Sequence, residues 1–320
     1  MATAEQIKTL IRSHFSEEPE RFFTTALQVA AHEAQQGHGD LAREIRGLVD
    51  RARADKKSPV ILQFPPELQG LVRTEQPSVS LATLVVPDAL GDRIQRILHE
   101  YRQQDKLRHH GLNHRRKVLL SGPPGTGKTL TARVLAHELR LPLHTVQVDR
   151  LVTKFMGETS AKLRQIFDLI QREKGVYFFD EFDAIGGGRG LDNDVGEMRR
   201  VLNALLQFIE QDESESMIVA ATNSPELLDR ALFRRFDDVL HFGLPDGPAR
   251  QRIIGNVLRK YAGHRFGWKS VLKSSEGLSC ADIDLACHDA LKDAVLADRT
   301  AISAKDLGHS FQHRHLAHPK

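Results

Sequence analysis

Apolar residues in the middle of the chain fall into short runs separated by amphipathic stretches. Five of these runs are candidate strands: KVLLSG (117–122), PLHTVQV (142–148), GVYFFD (175–180), SMIVAATN (216–223) and DVLHFGLP (238–245). Alternation of short apolar strands with helices is typical of a parallel sheet covered by helices on both faces. The pattern therefore predicts an α/β core over residues 81–245.

The two ends of the chain show helical patterns instead. In residues 1–57, a first short helix is predicted to close at Leu10 and Ile11, and a second to start at Pro19 and end near Gly37. Asp40 is predicted to cap a third, whose apolar face carries Leu41, Ile45, Leu48 and Val49. Residues 246–320 are also predicted to be helical, with caps at Ser279 and Ser303.

Proline separates the first helices from the core. Five prolines or glycines, Pro59, Pro65, Pro66, Gly70 and Pro77, fall within residues 58–80. This density rules out a continuous helix and predicts an extended linker. The expected organisation is a small all-α domain (1–57), a linker (58–80), the α/β core (81–245) and a C-terminal helical part (246–320).

Composition narrows the classes of function. The net charge of +3, from 45 basic and 42 acidic residues, is too balanced for a protein that binds nucleic acid through phosphate contacts. No apolar run reaches the ~18–20 residues of a membrane span, so we expect a cytoplasmic protein without stable membrane insertion. Cys280 and Cys287 lie about 10 Å apart on a predicted helix, too far for a disulfide.

The segment GPPGTGKT follows the first candidate strand and opens a helix. Its glycines let backbone N–H groups surround phosphates at a helix N-terminus, where Lys128 reaches the β- and γ-phosphates and Thr129 binds Mg²⁺. An ordinary glycine turn is the competing interpretation. The predicted nucleotide-binding residues of this loop are Gly122, Pro123, Pro124, Gly125, Thr126, Gly127, Lys128, Thr129 and Leu130.

Polar residues also follow two later candidate strands. Asp180 ends VYFFD and Glu181 follows it, at the edge where doubly wound sheets bind ligands. Asp180 is predicted to hold the magnesium, and Glu181 to polarise the water that attacks the γ-phosphate. Asn223, after the next strand, can orient that water or the γ-phosphate; taken alone, a loop-capping asparagine is the more common interpretation.

Two adjacent arginines, Arg234 and Arg235, follow in ALFRRFDD. Surface charge is the usual interpretation of such a pair. In this context we interpret them as arginine fingers that complete the site of a neighbouring subunit, a contribution worth roughly 10³–10⁵ in rate.

The phosphate loop, the DE strand end, the asparagine strand end and the arginine pair, in this order, resemble the AAA family of AAA+ ATPases. The resemblance covers about residues 85–320, and ATNSPELLDRALFRRFDD (221–238) is similar to the family's second region of homology. It implies a P-loop NTPase fold with a doubly wound parallel sheet and a C-terminal helical lid, and ATP and Mg²⁺ as cofactors. The adjacent arginines are more similar to the severing, membrane-remodelling and membrane-extracting branches than to the double-ring segregases.

Three further segments resemble family motifs. KFMGET (154–159) is similar to the first pore loop, so Lys154, Phe155 and Met156 are expected to grip a substrate chain; a buried core phenylalanine is the alternative. The glycine-rich 185–197 is expected to form a second pore loop, followed by Arg199 and Arg200 where the family reads its neighbour's nucleotide. GLSCADID (277–284) is similar to the lid motif, which implies that Cys280 and Ala281 approach the adenine.

The sequence departs from the family pattern in two places. Cys280 replaces the lid motif's usual glycine, and the usual Asp- and Gly-rich segment before the phosphate loop is not recognisable around 80–92. The residues that clamp the adenine from that side are therefore not predicted.

The resemblance also implies partners. A hexamer is the family expectation, with residues 1–57 recruiting protein substrates. The sequence has one phosphate loop and no HExxH zinc-protease signature. The N-terminal helices are similar to those of small bacterial AAA proteins that work beside a separately encoded subtilisin-like protease, so such a protease is a possible partner.

Three functions follow as hypotheses. The first is an ATP-hydrolysing ring that unfolds, extracts or remodels proteins through a central pore. The second is a nucleotide-dependent switch or scaffold that controls a partner without threading it. The third, a nucleic-acid loader, is disfavoured by the balanced charge and the lack of an appended helix-turn-helix. Phe155 separates the first two, because only threading requires it.

Overall fold

The computed structural model of the protein describes residues 8–9, 19–55, 68, 70–151, 156–185, 192–227, 230–261 and 266–317. The chain divides into two units, Met1–Gln63 and Phe64–Lys320. Among the described residues, no helix is long and apolar enough to cross a membrane.

The described residues of the first unit include two long helices, α1 (Pro19–Gln35) and α2 (Gly39–Asp55). They pack through Phe23 and Ala26 of α1 and Val49 of α2. The turn between them contains Gly37 at φ +89°, a left-handed conformation that suits glycine. Helix α1 begins at Pro19, as the sequence predicts, whereas Leu10 and Ile11 lie outside the described residues.

The apolar face predicted for α2 is partly wrong. Leu41 and Leu48 are 46% and 55% exposed, while Ala42 and Val49, one position later, are buried. One residue turns a helix by about 100°, so the packed stripe is rotated away from both leucines. Asp40 lies in the first turn of α2 and binds Arg43, rather than preceding the helix as its cap.

The second unit is built on a six-stranded sheet in the order β1-β3-β4-β5-β2-β6. The strands are β1 (Val72–Glu75), β2 (Lys117–Ser121), β3 (Leu143–Gln147), β4 (Val176–Asp180), β5 (Met217–Thr222) and β6 (Asp238–His241). Strands β2 to β6 pair in parallel and coincide with the five predicted runs, although β6 ends four residues before its run does.

Strand β1 was not predicted. It lies in the segment predicted as an extended linker and pairs antiparallel with β3 at the sheet edge. Its sequence, VRTE, buries only Val72 fully, because an edge strand covers one face and leaves the other to solvent. Four residues with one buried side chain give too weak a pattern to identify a strand.

Helices cover both faces of the sheet. The helices are α3 (Asp88–Arg102), α4 (Gln104–His109), α5 (Lys128–Leu139), α6 (Val148–Leu151), α7 (Met156–Arg172), α8 (Asp192–Gln211) and α9 (Arg230–Phe233). One face packs against α7 and α8 through a cluster that includes Phe167, Phe179 and Leu205. The other face packs against α3 and α5 through a cluster that includes Ile94, Leu135 and Phe178. The doubly wound α/β fold is therefore as predicted.

Four helices after the sheet form a lid with its own core. They are α10 (Gly247–Leu258), α11 (Trp268–Ser274), α12 (Cys280–Leu296) and α13 (Ala304–Ala317). Ser279 caps α12 in a reciprocal capping box with Asp282, and Ser303 makes the same exchange with Asp306 before α13. Both predicted caps are confirmed. Cys280 and Cys287 are free thiols, as their spacing predicts.

Candidate functional site

Three neighbouring strands bring the predicted catalytic residues to one edge of the sheet. Strands β4, β5 and β2 lie side by side and run parallel. Asp180 ends β4, Asn223 follows β5, and the phosphate loop follows β2. Because the carboxyl ends of parallel strands share one edge, residues from three distant parts of the sequence meet there.

The phosphate loop begins at Gly122, which the fold requires to be glycine. Its φ is +148°, and a Cβ at this position would lie 2.0 Å from the carbonyl oxygen of Phe242. The Gly122 amide donates to the carbonyl of Thr222 on the adjacent strand at 3.2 Å. The loop is therefore fixed between β5 and the end of β6 before it turns into α5.

Lys128 is the first residue of α5 and is largely buried. Its ammonium donates to the carbonyl oxygens of Gly122 and Pro123 at 2.6 and 2.8 Å. Burial lowers the pKa of Lys128, and the carboxylates of Asp180 and Asp183 oppose that effect. The lysine is thus held at the loop as a cation with few solvent contacts. It can exchange its carbonyl partners for a phosphate, to which it forms stronger, charge-assisted hydrogen bonds.

Thr129 and Asp180 face each other across the same edge. The hydroxyl of Thr129 donates to Asp180 Oδ2 at 3.4 Å. Burial raises the pKa of Asp180, while hydrogen bonds from the Glu181 amide and from Thr129 favour its charged form. A hydroxyl beside a desolvated carboxylate provides the hard oxygen ligands that Mg²⁺ prefers, so these two residues fit the predicted metal.

Glu181 has an unusual backbone conformation. Its φ is +52°, in the left-handed region that few non-glycine residues adopt. Its amide donates to Asp180 Oδ1 at 3.0 Å, and its side chain is exposed at the cavity. Conformations of this kind cluster at functional sites, where the surroundings hold them.

Asn223 is held by a residue that the sequence analysis did not single out. The backbone N–H of Asn223 donates to Asp183 Oδ1 at 3.3 Å, across the gap between β5 and the turn after β4. Asp183 follows Glu181 by two residues in DEFD, and this second aspartate is the signal that could have identified it. Asp183 therefore links the ends of two strands that carry predicted site residues.

The lid closes the site from the opposite side. The amide of Ala281, in the first turn of α12, donates to the carbonyl of Gly125 in the phosphate loop at 3.0 Å. Cys280 also lines the site, and burial raises its pKa to about 11, which keeps the thiol neutral near pH 7. Both residues line the cavity, and their approach to the adenine stays a prediction.

An apolar patch completes this wall of the site and was missed by the sequence analysis. Leu84 and Val85 contribute from the segment before the phosphate loop, and Ile253 and Val257 from one face of α10. The first two stand on the side for which no adenine-clamping residue was predicted. A short apolar run, LATLVV, before Pro87 is the only sequence signal for them.

Together these residues enclose a cavity of about 600 Å³. Its size lies in the range of small-molecule sites. Lys128, carboxylates and the phosphate loop lie at one end, and aliphatic side chains line the other, which suits a nucleotide with a charged triphosphate and an apolar base. The lining residues that were predicted are Pro124, Gly125, Thr126, Gly127, Lys128, Thr129, Leu130, Asp180, Glu181, Asn223, Cys280 and Ala281.

Several predicted residues are not brought to the cavity. Gly122 and Pro123 contribute carbonyl groups to Lys128 but do not line it, and Arg234 and Arg235 are also absent from its lining. Arg234 is exposed, and Arg235 forms an ion pair with Glu210 near the end of α8.

The predicted pore residues fall mostly outside the description. Lys154 and Phe155 are outside the described residues, as is the glycine run 186–188, and Met156 is described only as the start of α7. Arg199 and Arg200 lie in α8, whose first half is described by its backbone alone. Their roles stay predictions.

The fold and the cavity define a P-loop nucleotide-binding protein, and comparison with known proteins specifies the family. Residues 118–244 match the family model described as "ATPase family associated with various cellular activities (AAA)". An uncharacterized AAA family ATPase, y4kL of Sinorhizobium fredii, is 33% identical over 320 residues, which cover 98% of this chain and 95% of that protein. The chain therefore belongs to the AAA family and is an ATPase.

Other similarities are partial. The proteasome-activating nucleotidase of Methanoculleus marisnigri is 36% identical over 61% of this chain and 50% of its own length. The ATP-dependent zinc metalloprotease FtsH 1 of Methylacidiphilum infernorum is 35% identical over 72% of this chain and 37% of its own length. The crystal structure of the FIGL-1 AAA domain has a TM-score of 0.62 at 21% identity and covers 81% of this chain and 92% of that one. At this identity the last similarity supports the fold alone.

Proposed function

We propose that this chain forms a ring, expected to be a hexamer, in which ATP hydrolysis drives the unfolding, extraction or remodelling of proteins through a central pore. The observation that carries the proposal is the position of the arginine pair. Arg234 and Arg235 are absent from the lining of the cavity that contains Lys128 and Glu181. Arginines that serve catalysis from such a position act on the site of a neighbouring subunit.

Each residue at the strand ends has a role in hydrolysis. Lys128 exchanges its loop carbonyls for the β- and γ-phosphates, and Thr129 and Asp180 would hold Mg²⁺. The metal would supply charge neutralisation at the phosphates. Glu181 polarises the attacking water, and Asn223, fixed through Asp183, orients that water or the γ-phosphate. Arg234 and Arg235 of the neighbouring subunit stabilise the charge that develops on the γ-phosphate.

Relatives support a mechanical use of this chemistry. The names of two of them describe a nucleotidase that activates a proteasome and an ATP-dependent protease. The N-terminal helices would recruit a protein substrate in the cytoplasm, Phe155 with Lys154 and Met156 would grip it, and a separately encoded protease is a possible partner. Nucleic acid is not expected among the ligands.

The test is the assembly state of Glu181→Gln, which should bind ATP without hydrolysing it. Light scattering with ATP and Mg²⁺ should give a species about six times the monomer mass, and a smaller species without nucleotide. Adding Arg234→Ala and Arg235→Ala should weaken this assembly. Glu210→Gln is the matched control, since it breaks the ion pair of Arg235 and keeps both guanidinium groups.

Two results would contradict the proposal. A monomer with and without ATP would leave the arginine pair without a site to complete, and the switch hypothesis would then explain the chain better. The second concerns Phe155→Ala, which should keep ATPase activity and lose the processing of protein substrates. Equal processing by Phe155→Ala and the parent would exclude threading through this loop.

A further inference from the structure

Half of the polar side chains that line the cavity are at the phosphate end. Lys128, Thr129, Asp180, Glu181 and Asn223 stand at the strand ends or at the start of α5. Two threonines are committed elsewhere: Thr126 donates its hydroxyl to the carbonyl of Pro123 at 2.8 Å, and Thr83 donates to the carbonyl of Ser80 at 2.7 Å. The polar side chains that remain belong to the lid.

The lid contributes three such side chains, Asn256 from α10 and Cys280 and Asp284 from α12. Asn256 stands between Ile253 and Val257 in the sequence of α10, beside the apolar patch suited to the base. The thiol of Cys280 is neutral and a weak hydrogen-bonding group. Among the described residues that line the cavity, Asp284 is the lid's carboxylate, and the proposed hydrolysis mechanism does not use it.

The position of Asp284 relative to the phosphate loop follows from the docking of α12. The Ala281 amide binds the Gly125 carbonyl at 3.0 Å, which fixes the first turn of α12 against the loop. Asp284 is three residues further on, about 4.5 Å along the helix axis. Cys280, Ala281 and Asp284 are on the face of α12 that lines the cavity, so this face leads from the phosphate loop toward the base.

In a nucleotide, the ribose lies between the phosphates and the base and carries two hydroxyl groups. A carboxylate accepts hydrogen bonds from hydroxyls, and an acidic residue performs this role in dinucleotide-binding folds. We propose that Asp284 accepts a hydrogen bond from the 2′-hydroxyl of the bound nucleotide and makes the site prefer ATP to 2′-deoxy-ATP. The inference rests on the ATP-binding part of the proposed function and does not depend on ring assembly.

The surroundings of Asp284 suit this role. His288, one turn later, donates its Nδ1–H to the carbonyl oxygen of Asp284 at 2.9 Å, and the same nitrogen lies 3.3 Å from Asp284 Oδ2. This contact restricts the carboxylate on the helix surface. The Asp284 side chain is 50% exposed, so water screens its repulsion of the triphosphate. That repulsion acts equally on ATP and 2′-deoxy-ATP, so it cancels in the ratio of their dissociation constants.

The experiment measures binding of ATP and 2′-deoxy-ATP by calorimetry to the full chain carrying Glu181→Gln, which prevents hydrolysis. A hydrogen bond to a charged group predicts that ATP binds about tenfold or more tightly than 2′-deoxy-ATP. Asp284→Ala should bring this ratio close to one, and Asp284→Asn, which keeps an acceptor oxygen, should give an intermediate ratio.

Two variants serve as controls for the ratio. Asn256→Ala changes another polar side chain of the lid wall, and Leu285→Ala changes an exposed neighbour on α12 that does not line the cavity. ATP and 2′-deoxy-ATP have the same base, so both controls should keep the preference of the parent even where the absolute affinity changes.

Each other outcome counts against the inference in a distinct way. Equal affinities in the parent, or a preference that survives Asp284→Ala, would overturn the role of Asp284 and leave ATP binding intact. Failure of the parent to bind either nucleotide would overturn both this inference and the proposed ATP site.

Discussion

The two walls of the cavity differ in the interactions that they offer a ligand. At the strand ends, Lys128, Asp180 and Glu181 are charged groups fixed by a buried sheet and by backbone hydrogen bonds. On the facing wall, Leu84 from the segment before the phosphate loop and Val257 from the lid contribute apolar surface. The first wall depends on particular functional groups at particular atoms, whereas the second depends mainly on shape, apart from the hydrogen bond proposed for Asp284. Substitutions should therefore have large effects on the first wall and graded effects on the second.

The largest effect is expected from Lys128→Ala, which removes the cation at the strand-end wall. Loss of two charge-assisted hydrogen bonds to phosphate should weaken ATP binding about a hundredfold or more. Calorimetry or displacement of a fluorescent ATP analogue measures the change.

Strand β2, which leads into the phosphate loop, offers a matched control for Lys128→Ala. Lys117, at the opposite end of β2, is also a lysine whose pKa is lowered by burial, and its ammonium donates to the carbonyl of Glu210 at 3.2 Å. Lys117→Ala should leave ATP affinity unchanged. If both variants lose binding equally, the effect comes from damage to the sheet, and the comparison of the two walls loses its main support.

A smaller effect is expected from Gly125→Ala, which acts where the two walls touch. Gly125 has φ +72°, and an added Cβ would lie 2.5 Å from the hydroxyl oxygen of Ser279 and 3.2 Å from the Cβ of Ala281. The lid must move to accept the methyl group, and the hydrogen bond from the Ala281 amide weakens. We expect about tenfold weaker ATP binding, equivalent to roughly 1.4 kcal/mol.

Gly277→Ala separates steric contact from backbone strain. Gly277 has φ +81°, but a Cβ there would meet nothing within 4 Å. Both variants carry a left-handed alanine, at a cost of about 1 to 2 kcal/mol in the free energy of unfolding, which thermal denaturation measures. Only Gly125→Ala should also lose ATP affinity. An equal loss in Gly277→Ala would show that strain, and not contact between the walls, controls binding.

The difference between the walls also explains what the sequence could predict. The phosphate loop, Asp180, Glu181 and Asn223 follow apolar strands at recognisable positions, so the fold and the strand-end wall could be predicted. Leu84 and Val85 could not, because aliphatic residues at a cavity are indistinguishable in sequence from those of the core. The roles proposed for the arginine pair and Phe155 require neighbouring subunits, so a single chain leaves them as predictions.

The edge strand β1 and the buried face of α2 were also difficult to predict from the sequence. Strand β1 is short and has one buried face, so it was interpreted as part of the linker. On α2, Leu41 and Leu48 are seven residues apart, and so are Ala42 and Val49. The larger leucines indicate that their stripe is buried, but the buried stripe is that of Ala42 and Val49. In a two-helix unit, few contacts decide which stripe is buried, so hydrophobicity alone identifies it poorly.

The smallest effect is expected from Cys280→Gly, which restores the residue usual in the lid motif. Cys280 begins α12 behind the capping box of Ser279, and its thiol is neutral because burial raises its pKa to about 11. Glycine at a helical position lowers the free energy of unfolding by roughly 0.5–1 kcal/mol. ATP affinity should change by less than about threefold, or roughly 0.7 kcal/mol, because the four aliphatic side chains of this wall, Leu84, Val85, Ile253 and Val257, remain. A tenfold gain in affinity would mean that the thiol obstructs the base, and Cys280 would then be a determinant of binding rather than a tolerated substitution.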